Sequence, residues 1–366
     1  MSGRSGGGRG EAPSISGLER LVAALAPAER RLFRRIFSVE TVTGRLRVPA
    51  PMRLWVEQRF GSVAAVEEQR IVRVTDVVTL EGALFSALRS LRPKDPAPSG
   101  GQPEARPDPL AQPEESTTED PFGRVRGRYC TTASNVARYE GLHALVVFDE
   151  PDALRFDERR LADYVHTALE WFRRAHDYDP EARYPFLMWN CGQRAGASLQ
   201  HGHAQVMLAR SACYPRIERL RRAALDYRRR YRRDYFADLF HAHEAVGCGF
   251  AREGARVMAH LAPLKNHEVI VLAPSPDAAF VSALYRALAC LRDRFQVGAF
   301  NLAVYLPPLA PAPEDWSGFP VFARAVDRGR AGEAASDIGS MELYAAAIVD
   351  RDPFILASHL REAMAT

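Results

Sequence analysis

Residues 190–206, NCGQRAGASLQHGHAQV, constrain this chain more than any other stretch. The second part alternates with period two, so His201, His203 and Gln205 point to one side of a strand and Gly202, Ala204, Val206 and Leu208 to the other. Such a strand buries aliphatic surface on one face and presents two imidazoles and an amide on the other. The run before it, Gly192 to Ser198, is turn-prone; Gly192 and Gly196 let the backbone approach a ligand closely. Successive amide N–H groups in a turn of this kind suit an anion. A phosphate cradle feeding a two-histidine strand is the expectation that the rest of the chain must accommodate.

At 366 residues, 47% hydrophobic and 26% charged, the chain can bury one large core or two ordinary ones. It contains no apolar run of about 18 residues, and MSGRSGGGRG is not followed by the apolar stretch of a secretory signal. A cytoplasmic protein with no membrane partner is expected. The five cysteines are scattered without a C-x-x-C pair and read as reduced thiols. Net charge is only +4, and the densest basic run, from Arg216, carries Ile217, Leu220, Ala224, Tyr227, Tyr231, Tyr235 and Leu239 at helical intervals. It reads as an amphipathic helix with a solvated arginine face rather than as a nucleic-acid surface.

Taken in order, residues 1–16 are glycine-rich and expected to be disordered. Residues 17–92 form an N-terminal extension: a helix interrupted at Pro27, short β-favouring pieces, and a helical piece near RLWVEQRF. Residues 93–120, dense in proline and acid, are expected to be a flexible insertion. Beyond it GLHALVVFDEPDA (141–153) and KNHEVIVLAPSPDA (265–278) resemble each other, each leading into a helix and then another strand. In the region that follows, the first copy carries His203 and the second Arg324. The unit is therefore an internal duplication, residues 121–214 and 245–366, joined by a connecting helix over 215–244. The class is α+β, antiparallel sheets with flanking helices, the second copy degenerate. The tail RDPFILASHLREAM predicts a helix capped by Asp352 and Pro353.

A neutral imidazole is a competent nucleophile toward phosphorus, and the resulting phosphoramidate is labile enough to pass the group on. His203 is the expected nucleophile, its second ring nitrogen held by a backbone carbonyl of the preceding strand residues. The amides of the 192–198 turn, the Ser198 hydroxyl, and the Asn190 and Gln205 amides are the expected phosphate donors. The pattern Asn190, Gly192, Ala195, Gly196, Ala197, Ser198, Leu199, His201, His203, Gln205 resembles the signature of the galactose-1-phosphate uridylyltransferase branch of the histidine triad superfamily. That resemblance implies duplicated histidine-triad-like domains and transfer of a nucleoside monophosphate through a covalent nucleotidyl-histidine. It assigns His203 as nucleophile, Gln205 and Ser198 to the transferred phosphate, Asn190 as a further polar contact and His201 as a supporting residue; Gly192, Gly196 and Ala197 of the turn are expected to bind the phosphate as well. Asn135, in TASNVARYEGLH, becomes a base or ribose contact. The implied substrates are a nucleotide or nucleotide sugar and a sugar phosphate or other phosphate acceptor.

Departures from the pattern matter as much. The structural zinc common in that branch uses a Cys-Pro-Phe-Cys-like pair, a downstream histidine and the first histidine of H-x-H. Here the echo of the pair is Asp120-Pro121-Phe122-Gly123, and the downstream histidine is replaced near Ala153. Because zinc needs four suitable ligands, no structural zinc and no required cofactor are expected. The hexose-binding segment is only loosely echoed by SDIGSMELYAAAIVDRDP, with Glu342 out of register. Alternatives stay open: phosphorolysis or hydrolysis of a dinucleoside polyphosphate or nucleotide sugar, or a nucleotide-binding regulator without turnover. His143 and His267 are taken as repeat-equivalent packing residues and Cys191 as a packing thiol. His241 and His243 do not converge on a metal, and the tyrosine-rich face of the 215–243 helix offers a surface for a homodimer.

Overall fold

The computed structural model describes residues 12–86, 88, 91, 108–330 and 338–365. The expected disordered start therefore falls outside the described residues up to residue 11, as does most of the insertion, including 92–107. Strands are β1 (Phe37–Arg45), β2 (Glu68–Asp76), β3 (Gly82–Phe85), β4 (Cys130–Ser134), β5 (Leu142–Asp152), β6 (Tyr184–Cys191), β7 (His201–Ala209), β8 (Gly249–Arg252), β9 (Ala255–Ala259), β10 (Val269–Ala273), β11 (Phe300–Tyr305), β12 (Val321–Asp327) and β13 (Ala347–Val349). They build two sheets, β1-β2-β3-β13 and β4-β5-β7-β6-β11-β12-β10-β9-β8. The duplication is thus visible as two strand sets of like order, 4-5-7-6 and 9-10-12-11. They meet at an antiparallel β6–β11 pair in the middle of one continuous sheet. The N-terminal sheet is completed from the other end of the chain, since β13 pairs in parallel with β3.

One face of the large sheet is covered by two helices, Glu158–Tyr178 and Ala278–Phe295. Each begins at an aspartate whose side chain accepts a helix N–H: Asp157 from Arg160 at 2.8 Å and Asp277 from Phe280 at 3.1 Å. Caps of this kind contribute about 1 kcal/mol each. Leu161, Val165, Ala168 and Phe172 on the first helix, and Phe280, Leu284, Leu288 and Leu291 on the second, are all buried. Trp189 and Phe300 lie edge-on beneath them with ring centroids 5.0 Å apart.

The opposite face carries the polar residues. Directly opposed residues of neighbouring strands share a face, so the pairings Leu145–Gln205, Gln205–Met188, Met188–Ala303, Ala303–Arg324 and Arg324–Ile270 trace one row across six strands. Gln205 and Arg324 stand on that row at equal remove from the β6–β11 centre. Their partners correspond too: His143 bonds Gln205 at 2.9 Å, and Glu268 bonds Arg324 at 2.6 Å. Arg324 is therefore the counterpart of Gln205, not of His203, and Glu268 rather than His267 is the counterpart of His143. Aligning the repeats on their histidines slips them by one residue, which in a strand exchanges faces. His267 in fact precedes β10 with φ 52° and bonds Asp327.

On the second half this face is covered by the N-terminal sheet and the connecting segment, over a small cavity lined by Glu81, Tyr235, Tyr305 and Arg324. Glu81, just before β3, takes both Nη atoms of Arg324 at 3.2 and 3.1 Å, and Tyr235 donates to Asp76 at 2.6 Å. The connecting helix is really two, Pro215–Tyr231 and Tyr235–Ala245, separated at Arg232, whose φ of 56° breaks the helix. Ile217, Leu220, Tyr227, Tyr235 and Leu239 are buried within the chain itself. The face offered to a second subunit is consequently used inside the molecule. His241 stays at the surface beside Glu244, while His243 is buried and bonds the Leu239 carbonyl.

The expected insertion is ordered from Asp108 onward. Leu110 packs with Ala133 and Val147 in a small cluster on the polar face of the first half. Asp120 is buried, accepting from Ser134 Oγ at 2.7 Å and Trp171 Nε1 at 2.8 Å. The terminal helix, Pro353–Ala365, has the expected Asp352 cap, 2.9 Å from the Phe354 N–H.

Candidate active site

His203 lies in the middle of the first half's polar face, opposite Val147 and only 6% exposed. Its Nδ1–H donates to the carbonyl of His201 at 2.8 Å, the arrangement expected from the sequence. A ring that donates through Nδ1 carries its lone pair on Nε2 when neutral. Burial pushes the imidazole below its ordinary value of 6.5, against the pull of that carbonyl bond, so the neutral form is the resident one.

His201 is held at both nitrogens. Nε2 lies 2.8 Å from the Phe148 carbonyl and Nδ1 lies 2.7 Å from the Asp108 carboxylate. The Phe148 carbonyl is available because the β5–β7 ladder is interrupted between the Val147–His203 and Asp152–His201 pairs. That detour runs tight against Gly202, where a Cβ would stand 2.7 Å from the Phe148 ring and 2.9 Å from the Glu150 carbonyl. Glycine between the histidines is a packing requirement.

Gln205 is likewise fixed from outside the strand. Its Oε1 accepts from Tyr139 at 2.7 Å and lies 2.9 Å from His143 Nε2, which is also 3.1 Å from Asn135 Nδ2. With the oxygen occupied, the amide's NH2 is the group left to meet a phosphate oxygen. His143, expected only to pack, holds Gln205; Tyr139, 64% exposed, lies over the His143 ring at 4.4 Å. Asn135 thus belongs to the site through His143. Its Oδ1 also accepts from Ala137 N in the turn that follows β4.

The 192–198 turn differs in detail from a full anion cradle. The Ala195, Gly196 and Ala197 amides donate within the turn, to Gly192 O at 3.0 Å, Gln193 O at 2.9 Å and Gly192 O at 3.3 Å. Gly196 and Ala197 therefore shape the turn rather than offer it donors. Gly192, at φ 84°, would set a Cβ 3.2 Å from the Gly298 carbonyl and from Ala299 Cβ, so it packs the turn on the second half. Asn190 accepts from Asn301, its partner across the central strand pair, at 2.8 Å. Asn301 also donates to the Ala195 carbonyl, and Arg328 reaches Asn301 Oδ1. Arg194 donates to the Arg328 carbonyl at 2.8 Å, which brings a second-half guanidinium near the turn. Ser198 is exposed at the turn's exit.

The residues do not fit a zinc ion. Asp120 is engaged by Ser134 and Trp171, so the carboxylate that reaches His201 is Asp108, in Asp108-Pro109-Leu110-Ala111. Asp108, and no residue of 120–123, is the carboxylate at the His201 ring; Ala153 contributes no ligand side chain. Among the described residues no group of three or more His, Cys, Asp or Glu side chains could hold a metal. Cys191 is buried against the Ala153 carbonyl, and burial pushes its thiol up to about 12, which suits packing and not attack. No helix among the described residues is long and apolar enough to cross a membrane.

What sequence reading missed is Asp108, Tyr139, His143 and the Asn301–Arg328 pair. Asp108 lies in a proline- and acid-rich stretch with no periodicity to show where it docks. The others come from strands and turns far away in sequence.

No protein family model and no curated protein matches the chain. Solved structures do match. An ADP-glucose phosphorylase from Arabidopsis thaliana with bound ADP-glucose is 17% identical, with a TM-score of 0.61 over 79% of this chain and 97% of that one. A uridylyltransferase is 16% identical, TM-score 0.56, over 81% and 98%. A GalT-like protein from Arabidopsis thaliana is 16% identical, TM-score 0.54, over 71% and 99%. At such identities the likeness is one of architecture: the chain shares the fold of these phosphorylase, uridylyltransferase and GalT-like structures.

Proposed function

We propose that this chain is a nucleotidyl-transferring enzyme that works through a covalent nucleotidyl-histidine on His203. The observation that carries the reading is the Nδ1–H bond from His203 to the His201 carbonyl, which leaves Nε2 as the basic nitrogen. In the first step the Nε2 lone pair forms a bond to the α-phosphorus of a nucleotide sugar or related donor. The phosphoanhydride P–O bond breaks, and its electron pair leaves on the sugar phosphate or other phosphate fragment. In the second step an oxygen of a phosphate acceptor displaces His203, returning the lone pair to Nε2. The Gln205 NH2 and Ser198 meet the phosphate oxygens as charge builds, and the Asn135–Tyr139 side of the site takes the nucleoside.

A second reading keeps the adduct and passes it to inorganic phosphate or water. The bound ADP-glucose of a phosphorylase with this fold favours it, and acceptor choice is the only difference between the two. Incubation with ADP-glucose, UDP-glucose, UDP-galactose and diadenosine polyphosphates, followed by intact mass, tests the shared step. Product analysis with and without phosphate, or with hexose 1-phosphates, separates the acceptors. Tight nucleotide binding without an adduct or turnover would instead point to a regulator.

A further inference from the structure

His201, the one histidine of the implied metal site that the chain keeps, has both ring nitrogens engaged by protein groups. The Asp108 carboxylate, 2.7 Å from Nδ1, takes one side, and the Phe148 carbonyl, 2.8 Å from Nε2, takes the other. Asp108 comes from the arm that Leu110 pins onto Ala133 and Val147, the strand residue opposite His203. The His201 main-chain carbonyl in turn accepts the Nδ1 proton of His203. A chain of contacts therefore runs from Asp108 through the His201 ring and backbone to the nucleophile's tautomer.

We infer that Asp108 is a positioning residue: with His201 it forms a metal-free clamp that aims His203 Nε2 in place of the structural ion. The inference rests on the nucleotidyl-histidine reading for its kinetic consequence, but the ring geometry it predicts exists without any substrate. Orienting partners of this sort act by fixing tautomer and direction, and their loss typically costs about 10- to 100-fold in activity.

Two measurements on the full chain test it. Histidine-labelled protein, free of nucleotide, is studied by 15N imidazole spectroscopy before and after EDTA. The wild type is expected to show His203 as a single Nδ1–H tautomer, unchanged by EDTA. Asp108→Asn and Asp108→Ala are expected to mix its tautomers at unchanged melting temperature, and Asp108→Glu to restore most of the signal. Adduct formation from ADP-glucose or UDP-glucose should then slow by about 10- to 100-fold in Asp108→Asn, with half-saturation shifted less than about threefold. An unaltered His203 spectrum in both Asp108→Asn and Asp108→Ala overturns the inference, as does loss of the wild-type signature on EDTA. Absence of any wild-type adduct would count against the function proposed for the site, while the spectra would still decide for or against the clamp.

Discussion

Nδ1 of His203 donates to the carbonyl of His201, two residues earlier on the same strand, at 2.8 Å. Both side chains share a face, so the strand's own backbone orients the His203 ring. The pH dependence of the proposed covalent step follows. Burial depresses His203, and the reactive neutral form persists below the ordinary value of 6.5. The rate of adduct formation should be flat above pH 6.5 and fall only on a limb displaced to more acid pH. Stopped-time mass spectrometry from about pH 4.5 to about pH 8 checks this, a range that brackets the ordinary imidazole value.

The amide of Gln205 is aimed by Tyr139 and His143, which occupy its oxygen. Tyr139→Phe removes one anchor and His143→Phe the other. Each should slow adduct formation by about tenfold, and the double variant by less than the product of the two, since they serve one group. Gln205→Leu sets the ceiling of the effect.

Two glycines of the motif are expected to fail for different reasons. Gly202→Ala drives a methyl to 2.7 Å from the Phe148 ring, and Gly192→Ala adds a side chain at φ 84° and 3.2 Å from Ala299. Each should cost about 1–3 kcal/mol. Urea denaturation measures the loss. Gly202→Ala should also disturb the Phe148–His201 bond and with it the activity of the molecules that remain folded.

Arg324 is buried between Glu268 and Glu81, 2.5 and 3.1 Å away. Arg324→Met leaves the buried Glu268 carboxylate without its cation and Glu81 with only Arg219, 3.3 Å away, and should destabilise by about 3–5 kcal/mol. Adding Glu81→Gln and Glu268→Gln should recover most of that, which thermal melts of the wild type, the single variant and the combined variants would show.

His243 gives the fold an acid weakness of its own. Burial lowers it from 6.5 to about 4, so the folded chain keeps it neutral while the unfolded chain takes up a proton near pH 6.5. Its contribution is complete above pH 6.5 and lost as pH falls toward about 4, a change of about 3 kcal/mol. His243→Leu should flatten the fall in unfolding free energy between about pH 7 and about pH 5.

Much of the fold was legible in the chain. The period-two run showed which side chains of β7 share a face, and the helix that follows the first strand of each repeat was readable from the chain. The duplication was legible as a pattern, but its register was not: matching His143 with His267 exchanges faces, and only the strand pairing shows Glu268 and Arg324 in the places of His143 and Gln205. Asp108 was hidden because a proline- and acid-rich stretch has no periodicity to say where it docks; its bond to His201 spans 93 residues. The turn's amides looked like donors to a ligand because sequence cannot show that three of them close the turn itself.

Whether His203 alone carries the nucleotidyl group can be decided by intact-mass analysis of wild type and His203→Ala after incubation with ADP-glucose, UDP-glucose and diadenosine polyphosphates, with peptide mapping of the product. The expected result is one added nucleoside monophosphate per chain in the wild type, located on His203, and none in the variant. An adduct that persists in His203→Ala, or no adduct on the wild type with any of these donors, would contradict the proposed mechanism.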